Sequence, residues 1–442
     1  MPTSSKHPET IALHSGNYRK DTATNSVAVP IYQTTSYQFD NSIHASNLFG
    51  FKELGNIYTR IMNPTNAVLE ERLAAIEGGV AALAVSSGQA ASAIAIQNLC
   101  RAGDNVVSST DLYGGTWNLF ANTLKQLGIE VRFADPKEPN SFKKLTDDKT
   151  RAYYAETLPN PKLKVFPIEE VANIGKEFNI PLIMDNTATP ITCNPINHGA
   201  TIVVHSLTKY IGGHGTSIGG VIIDSGLFDW TLDPKRQPLM NEPDPSYWGI
   251  SFGKVVPEAL GAPIAFAVRA RFVLLRDLGS ALSPTNSFHF IQGLETLPIR
   301  FKQHQVNAEK VAHYLNSRKE VNKVIYPNLH EDNEAIIRTK KYLKNGNGPL
   351  VGFELKKGLN AGQQFIDNLK MIYHVANIGD VRTLAIHPAT TTHSQLSPED
   401  QLKTGVTPGY IRLSVGIEHI DDILSDIDQA INNIHQVSEK IA

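Results

Sequence analysis

Short apolar runs alternate with amphipathic stretches through the first half of the chain. Ala81–Val85, Asn105–Ser108, Glu130–Phe133, Ala152–Ala155, Pro181–Met184 and Thr201–Val204 have the composition of strands. Between them, Gly88–Leu99, Thr116–Leu127 and Ile168–Phe178 carry apolar positions at helical spacing. Ahead of the first run, Asn63-Pro64-Thr65 opens a helix that continues to Glu77 and stops at Gly78-Gly79. Strand and helix in alternation predict an α/β fold with a mostly parallel sheet and helices on its faces.

The flanks depart from this rhythm. Residues 1–64 are polar, aromatic and turn-rich, and are expected to form an arm lying against a larger body or a neighbouring subunit. Residues 225–262 are irregular, rich in Pro, Trp and Asp, and look like an insertion. Further helices are expected at Ala265–Ser280, Gln303–Arg318 and Ile420–Ala442, with shorter strands and helices after about residue 300. The expected division is therefore the arm (1–64), an α/β domain (65–299) and a smaller C-terminal α+β domain (300–442).

Composition narrows the function without naming it. A chain of 442 residues, 41% hydrophobic and 19% charged, can bury a large core in two domains. A formal charge of −2 gives no reason to expect nucleic acid or an anionic membrane as a partner. Two cysteines, Cys100 and Cys193, build no disulfide framework, and no apolar run reaches the length of a membrane span. The N-terminus has no apolar core of a secretory signal. The expectation is a cytoplasmic protein.

Candidate chemistry falls at the strand exits, where ligands sit in open α/β sheets. Ser86-Ser87-Gly88-Gln89 follows the first run, and its small residues let helix N-terminal N–H groups face an anion such as phosphate; a plain capped helix is the equal alternative. Tyr113 follows the second and could cover a flat ring, although a core tyrosine is commoner. Asp185 follows four apolar residues and needs a partner, which a pyridinium nitrogen, magnesium or an arginine would supply. Lys209 lies just beyond Thr201–Val204, between Ser206, Thr208 and a glycine-rich turn. Desolvation there would favour an uncharged amine able to form a Schiff base. Phosphate donors, a stacking aromatic, a carboxylate and a lysine together make the set that pyridoxal phosphate requires.

The chain resembles the Cys/Met metabolism family of pyridoxal-phosphate enzymes, of the aspartate-aminotransferase fold (fold type I). The likeness runs from about Thr10 to the C-terminus. It is carried by Tyr58-Thr59-Arg60 with Asn63-Pro64-Thr65, Ser86-Ser87-Gly88, Asp111-Leu112-Tyr113-Gly114-Gly115-Thr116, Glu156 with Asn160-Pro161, Met184-Asp185-Asn186-Thr187, His205-Ser206-Leu207-Thr208-Lys209-Tyr210, His387-Pro388-Ala389, Thr392-His393 and Ile411-Arg412 through Glu418. The resemblance implies that Lys209 holds the cofactor and shuttles protons, that Asp185 pairs with the ring nitrogen and that Tyr113 stacks on the ring. It implies that Gly88 and Gln89 N–H groups, with Ser206 and Thr208, bind the phosphate. Tyr58 and Arg60 would reach the phosphate of a neighbouring subunit, which makes the active unit a dimer and the expected assembly a homotetramer. Asn160 would contact the cofactor ring oxygen or the substrate, Thr383 would meet the substrate, and Arg412 would clamp its carboxylate. No metal is expected.

Within the family, the 225–262 insertion with Pro245-Ser246-Tyr247 and the segments Leu275–Asn286 and Gln292–Thr296 resemble the O-acetylhomoserine sulfhydrylase branch. That implies an amino-acid substrate and sulfide, with cystathionine γ-synthase or γ-lyase as the alternative. Three departures stand out. Gln89 replaces a frequent methionine, Trp248 stands where a histidine is usual, and Arg382 stands where cystathionine enzymes carry an acid. A positive charge at Arg382 disfavours the amino group of cysteine and suits a small anion such as hydrosulfide. Ser206-Leu207-Thr208-Lys209 and Lys403-Thr404-Gly405 also match the Ser-x-x-Lys and Lys-Thr-Gly of serine acylases, but no Ser-x-Asn triplet lies between them. Gly213, Gly215 and Gly219 lead into Val221-Ile222-Ile223 rather than a helix, which argues against a dinucleotide fingerprint.

Overall fold

The computed structural model describes residues 5–50, 52–53, 55–395 and 397–434. It divides into two compact units, one of Met1–Thr157 with Pro167–Pro298 and one of Leu158–Phe166 with Ile299–Ala442.

The first unit is built on seven strands: β1 (Ala81–Val85), β2 (Asn105–Ser109), β3 (Glu130–Ala134), β4 (Thr150–Glu156), β5 (Leu182–Asp185), β6 (Ile202–Ser206) and β7 (Gly220–Asp224). Their order across the sheet is β1-β7-β6-β5-β4-β2-β3. Neighbours from β6 to β3 are parallel, joined by crossovers that include the helices Gly114–Asn118 and Ile168–Glu177. β7 is antiparallel to both its neighbours, because the turn after Ser206 brings the chain straight back without a crossover helix. Every residue of β2, β4 and β7 is buried, as expected where helices cover both faces. Leu83, Ile94, Tyr154, Ile183, Ile202, Val204 and Ile222 lie in one hydrophobic core.

The α/β class and mostly parallel sheet agree with the sequence reading, and the differences are local. The 225–262 segment is not wholly irregular: Phe252–Leu260 is a helix despite Gly253 and Pro257, held by the buried Phe252 and Val256. The arm contains helices Pro8–His14 and Ser42–Phe49, the second capped by the Asn41 side chain, which accepts from Ile43 and His44 N–H. The helix expected from Thr116 begins at Gly114 and passes through a π-helical turn at Leu119–Thr123. That from Ala265 likewise contains a π segment, Ala270–Leu275, and ends at Leu278 before the left-handed Gly279. The amphipathic run Gln303–Arg318 belongs to a longer helix, Pro284–Asn316, with Pro298 inside it.

The second unit has an α+β pattern. Its five strands are β8 (Val321–Ile325), β9 (Leu350–Leu355), β10 (Tyr373–His374), β11 (Leu384–Ile386) and β12 (Tyr410–Ser414), in the order β10-β11-β12-β9-β8. All neighbours are antiparallel except β10 and β11. Phe365 of the helix Gly358–Asn368 and Ile423, Ile427 and Ala430 of the helix Ile420–Asn432 share its core with Phe353 and Leu413. The tail of the helix expected to Ala442 falls partly on residues 435–442, outside the described residues.

Candidate active site

In a parallel sheet the strands deliver their exits to one edge. β1, β4, β5 and β6 end there on Val85, Glu156, Asp185 and Ser206, and antiparallel β7 begins there at Gly220. Val85 and Ser206 both pair with Gly220, which draws the β1 and β6 exits together.

Between them stands the first turn of the helix Gly88–Gln97. Ser87 caps it, its hydroxyl accepting the Ala90 N–H at 3.0 Å. A Cβ on Gly88 would fall 2.6 Å from Ser206 Cβ and 2.9 Å from its Cα, so only glycine lets this turn lie against the β6 exit. Gly220 is similarly confined, since a Cβ there would meet the Ser87 carbonyl oxygen at 2.1 Å. The first-turn N–H groups have no intrahelical acceptor and are brought beside the Ser206 hydroxyl, a cradle sized for an anion. Ser206 is fixed by its own N–H, which donates to Thr187 Oγ1 at 2.8 Å. Gln89 Oε1 accepts from Thr116 Oγ1 at 3.4 Å, so the side chain points to a neighbouring helix start.

Beyond Ser206 the chain turns tightly. Lys209 N–H donates to the Ser206 carbonyl at 3.3 Å and the Lys209 carbonyl accepts from Gly213 at 2.7 Å, which leaves Lys209 half-buried at the strand exit. Thr208 Oγ1 accepts the Gly219 N–H at 3.1 Å and donates to the Gly219 carbonyl at 3.3 Å, so its hydroxyl braces the turn.

Asp185 and Glu156 are the acidic members. Asp185 Oδ1 accepts the Thr187 N–H at 2.9 Å. Burial raises its carboxyl above the ordinary range, against the pull of Thr187, His205 and Tyr154. Glu156 lies opposite Asp185 in the parallel register and accepts the Tyr113 N–H at 2.6 Å. Burial and the neighbouring Asp185 push it well above its usual value. Tyr113 itself is 55% exposed at the same edge. Behind the edge Glu77 Oε1 accepts from both His205 Nε2 at 2.7 Å and Asn186 Nδ2 at 2.9 Å, tying the β5 and β6 exits together. Sequence reasoning singled out Asp185 but gave Glu156 no role, although Glu156 also ends an apolar run. The Glu77 link joins residues far apart in sequence and left no local signal.

The remaining candidates lie elsewhere in the chain. Tyr58 and Arg60 are in the arm, the guanidinium 5.4 Å from the ring centroid and Tyr58 bridged to Ser36. In the second unit, Asn160 has a buried Oδ1 with no hydrogen-bond partner among the described residues. Arg412, on β12, donates to the Asn377 carbonyl at 2.9 Å. Thr383 is fully buried and engaged throughout: its hydroxyl donates to Glu418 at 2.7 Å and accepts from Gly416 at 2.9 Å, its N–H donates to Glu418 at 2.6 Å and its carbonyl accepts from Tyr373 at 3.1 Å, so no donor of Thr383 is left for a ligand. The charge of Arg382 is offset by Asp380, which accepts from its Nε at 2.8 Å and Nη2 at 3.0 Å. The bare positive charge expected there is therefore neutralised locally.

The first unit's edge fits pyridoxal phosphate on its own geometry. A glycine-lined helix start beside a serine suits the phosphate, the buried Glu156 and half-buried Asp185 have no arginine or lysine partner among the described residues, and a half-buried lysine stands nearby. Fold and site together define a fold type I enzyme that uses pyridoxal phosphate. The chain belongs to the Cys/Met metabolism family of PLP-dependent enzymes, whose profile matches residues 9–432. It is 52% identical over 98% of both chains to an O-acetyl-L-homoserine sulfhydrylase of Leptospira meyeri. It is 49% identical to O-acetyl-L-homoserine sulfhydrylase 1 of Thermus thermophilus, over 96% of this chain and 99% of that one. A solved Campylobacter jejuni structure described as an O-acetylhomoserine (thiol)-lyase, carrying N′-pyridoxyl-lysine-5′-monophosphate, superposes with a TM-score of 0.91. It is 43% identical, over 96% of this chain and all of that one.

Proposed function

We propose that the chain catalyses γ-replacement on O-acetyl-L-homoserine, in which sulfide displaces acetate to give L-homocysteine. The observation that carries this reading is the near-full-length likeness to sulfhydrylases in a chain whose lysine, carboxylate and glycine-lined cradle meet at one sheet edge. Bound there, pyridoxal phosphate supplies an electron sink for charge developing next to the substrate nitrogen. The chain's own residues do the rest. Lys209 holds the cofactor and takes the proton from the substrate Cα. Asp185 gives the ring nitrogen an anionic partner, and Tyr113 covers the ring face. Gly88 and Gln89 N–H groups with Ser206 bind phosphate, Thr208 joining them by turning its hydroxyl proton away from the long 3.3 Å bond to the Gly219 carbonyl, and Arg412 receives the substrate carboxylate through charge-assisted bonds. Asn160 contributes its unpartnered oxygen toward substrate or cofactor, while Thr383 holds Glu418 and Gly416 in place rather than touching a ligand. The Cγ–O bond breaks to release acetate, and a Cγ–S bond forms with sulfide.

Tyr58 and Arg60 act across a subunit boundary, so the working assembly is a homodimer or a homotetramer built as a dimer of dimers. Among the described residues no helix is long and apolar enough to cross a membrane, and the two free cysteines, both buried, suit a cytoplasmic setting. The test is product formation by the purified enzyme from O-acetylhomoserine, with sulfide or cysteine offered separately. Homocysteine and acetate in equal amounts from sulfide are expected. Cystathionine formed from cysteine, with no reaction of sulfide, would replace this reading by a γ-synthase.

A further inference from the structure

Glu156 and Asp185 are directly paired on adjacent parallel strands, so their side chains leave the same face of the sheet at the same height. Glu156 is only 8% exposed. The charged and titratable groups that face the two are few. Glu156 faces Asp185 and Asp111, and Asp185 faces Glu156, the Tyr154 hydroxyl and His205. His205 already gives Nε2 to the buried Glu77, so its imidazole is set against a third carboxylate. Among the described residues no arginine or lysine pairs with Glu156 or Asp185. Glu156 is buried and Asp185 half-buried, and two like charges this close without a cation of their own are costly to keep together, most of all on the buried member.

Geometry decides which of the two carries the proton. Asp185 is supported as an anion by the Thr187 N–H at 2.9 Å, by Tyr154 and by His205. Glu156 has a single donor, the Tyr113 N–H at 2.6 Å; that bond favours the anion, but the carbonyl oxygen of a neutral acid also accepts it, and burial and the neighbouring Asp185 oppose the charge. We propose that Glu156 is the protonated member of the pair and a positioning residue: it leaves Asp185 as the single anion offered to the ring nitrogen, and it holds the Tyr113 turn through the Tyr113 N–H. This rests on the reading that pyridoxal phosphate binds at this edge with Lys209. One ring cation matched by one carboxylate leaves the buried edge without surplus charge, and Glu156 as a neutral acid completes that balance.

The test compares Glu156→Gln and Glu156→Ala with the wild-type holoenzyme. Gln is a neutral isostere that keeps the acceptor for Tyr113, and Ala removes it. Difference infrared spectra should show a buried carboxylic C=O stretch in the wild type at neutral pH that is lost in Glu156→Gln. Glu156→Gln should keep the cofactor's circular dichroism band and weaken cofactor binding by no more than about threefold, whereas Glu156→Ala should distort the band and weaken binding about tenfold. Absence of the carboxylic band, or a Gln variant that falls as far as Ala, would overturn the proposal by showing Glu156 to act as an anion. If Ala does not fold, the infrared comparison of wild type with Gln decides alone. Persistence of the cofactor's visible band in Lys209→Ala would instead defeat the underlying reading, so the two failures are separable.

Discussion

The two edges of the first unit's sheet treat buried charge in opposite ways, and β4 spans both. At its start Arg151 donates through Nε to Asp104 at 2.9 Å, with Nη2 2.7 Å from the same carboxylate, and both side chains are at most 5% exposed. Arg151 Nη1 also donates to the carbonyls of Asp148, Lys235 and Arg236, and the other Asp104 oxygen accepts the Arg101 N–H. At the end of the same strand Glu156 and Asp185 stand side by side with no guanidinium or ammonium partner among the described residues. The amino-end edge is closed in on itself, and the carboxyl-end edge is left with electrostatic demands that a bound cation meets. One edge serves the fold. The other is held at a cost in the cofactor-free chain.

That cost has a sign. Glu156 and Asp185 both have carboxyls raised by burial, so the folded chain binds their protons more tightly than the unfolded chain does. Their contribution to stability is full below the unfolded carboxylate range and is lost as pH rises through their folded values. Cofactor-free protein should therefore lose stability from acid toward neutral pH through this pair, and pyridoxal phosphate should restore it. Denaturant midpoints measured with and without cofactor across that range test the linkage, and a cofactor effect that does not grow with pH would count against it.

The largest expected effect is at the carboxyl-end edge. Lys209→Ala removes the group assigned to hold the cofactor and move the Cα proton, so kcat should fall at least about 10³-fold. The cofactor's lysine-linked visible absorbance should vanish while the denaturant midpoint of the cofactor-free chain changes little. Normal turnover would refute the assignment. The mirror-image change is Arg151→Ala. It strands Asp104 in a buried setting and should cost about 3–5 kcal/mol of stability, leaving kcat per folded molecule unaltered. A stability loss under about 1 kcal/mol would mean that the two edges are not as different as their partners suggest. Gly88→Ala comes next. Its Cβ would sit 2.6 Å from Ser206 Cβ, and relieving that contact should cost about 1–3 kcal/mol, read as a roughly 5- to 150-fold loss of cofactor affinity.

The same contrast explains what could be read from sequence. Runs such as Thr201–Val204, realised as β6, were legible because a strand buried on both faces is apolar through its centre, and parallel connectivity then sends the exits to one edge. The reversed direction of β7 was not legible, because Val221–Ile223 is equally apolar whichever way it runs. The helix Phe252–Leu260 was hidden by Gly253 and Pro257, two local breakers overridden by the burial of Phe252 and Val256. Glu156 was within reach of the argument applied to Asp185, since it too ends an apolar run. Glu77 was not, because its bonds to His205 and Asn186 exist only in three dimensions. Thr383, expected to meet the substrate, is the opposite case: a residue whose hydroxyl and backbone the fold uses internally through Glu418, Gly416 and Tyr373.

The smallest expected effect concerns Arg382, where the second unit repeats the logic of the closed edge at its surface. Arg382 is 49% exposed and forked onto Asp380, so the pair presents little net charge to an incoming acceptor. Asp380 is itself buried, but the guanidinium is half-exposed, and solvent on that side holds the pair's effect on an approaching acceptor to about 1 kcal/mol, or roughly a fivefold change in a rate ratio. Arg382→Ala uncovers the Asp380 carboxylate, which repels hydrosulfide and attracts the amino group of cysteine. The ratio of kcat/KM for sulfide to that for cysteine should therefore fall by no more than about fivefold. Arg382→Ala with Asp380→Ala should bring the ratio back toward wild type, because both charges are then gone. A drop beyond about fiftyfold in the single variant, not reversed in the double, would mean that Arg382 acts on the acceptor as a bare cation and that Asp380 does not screen it.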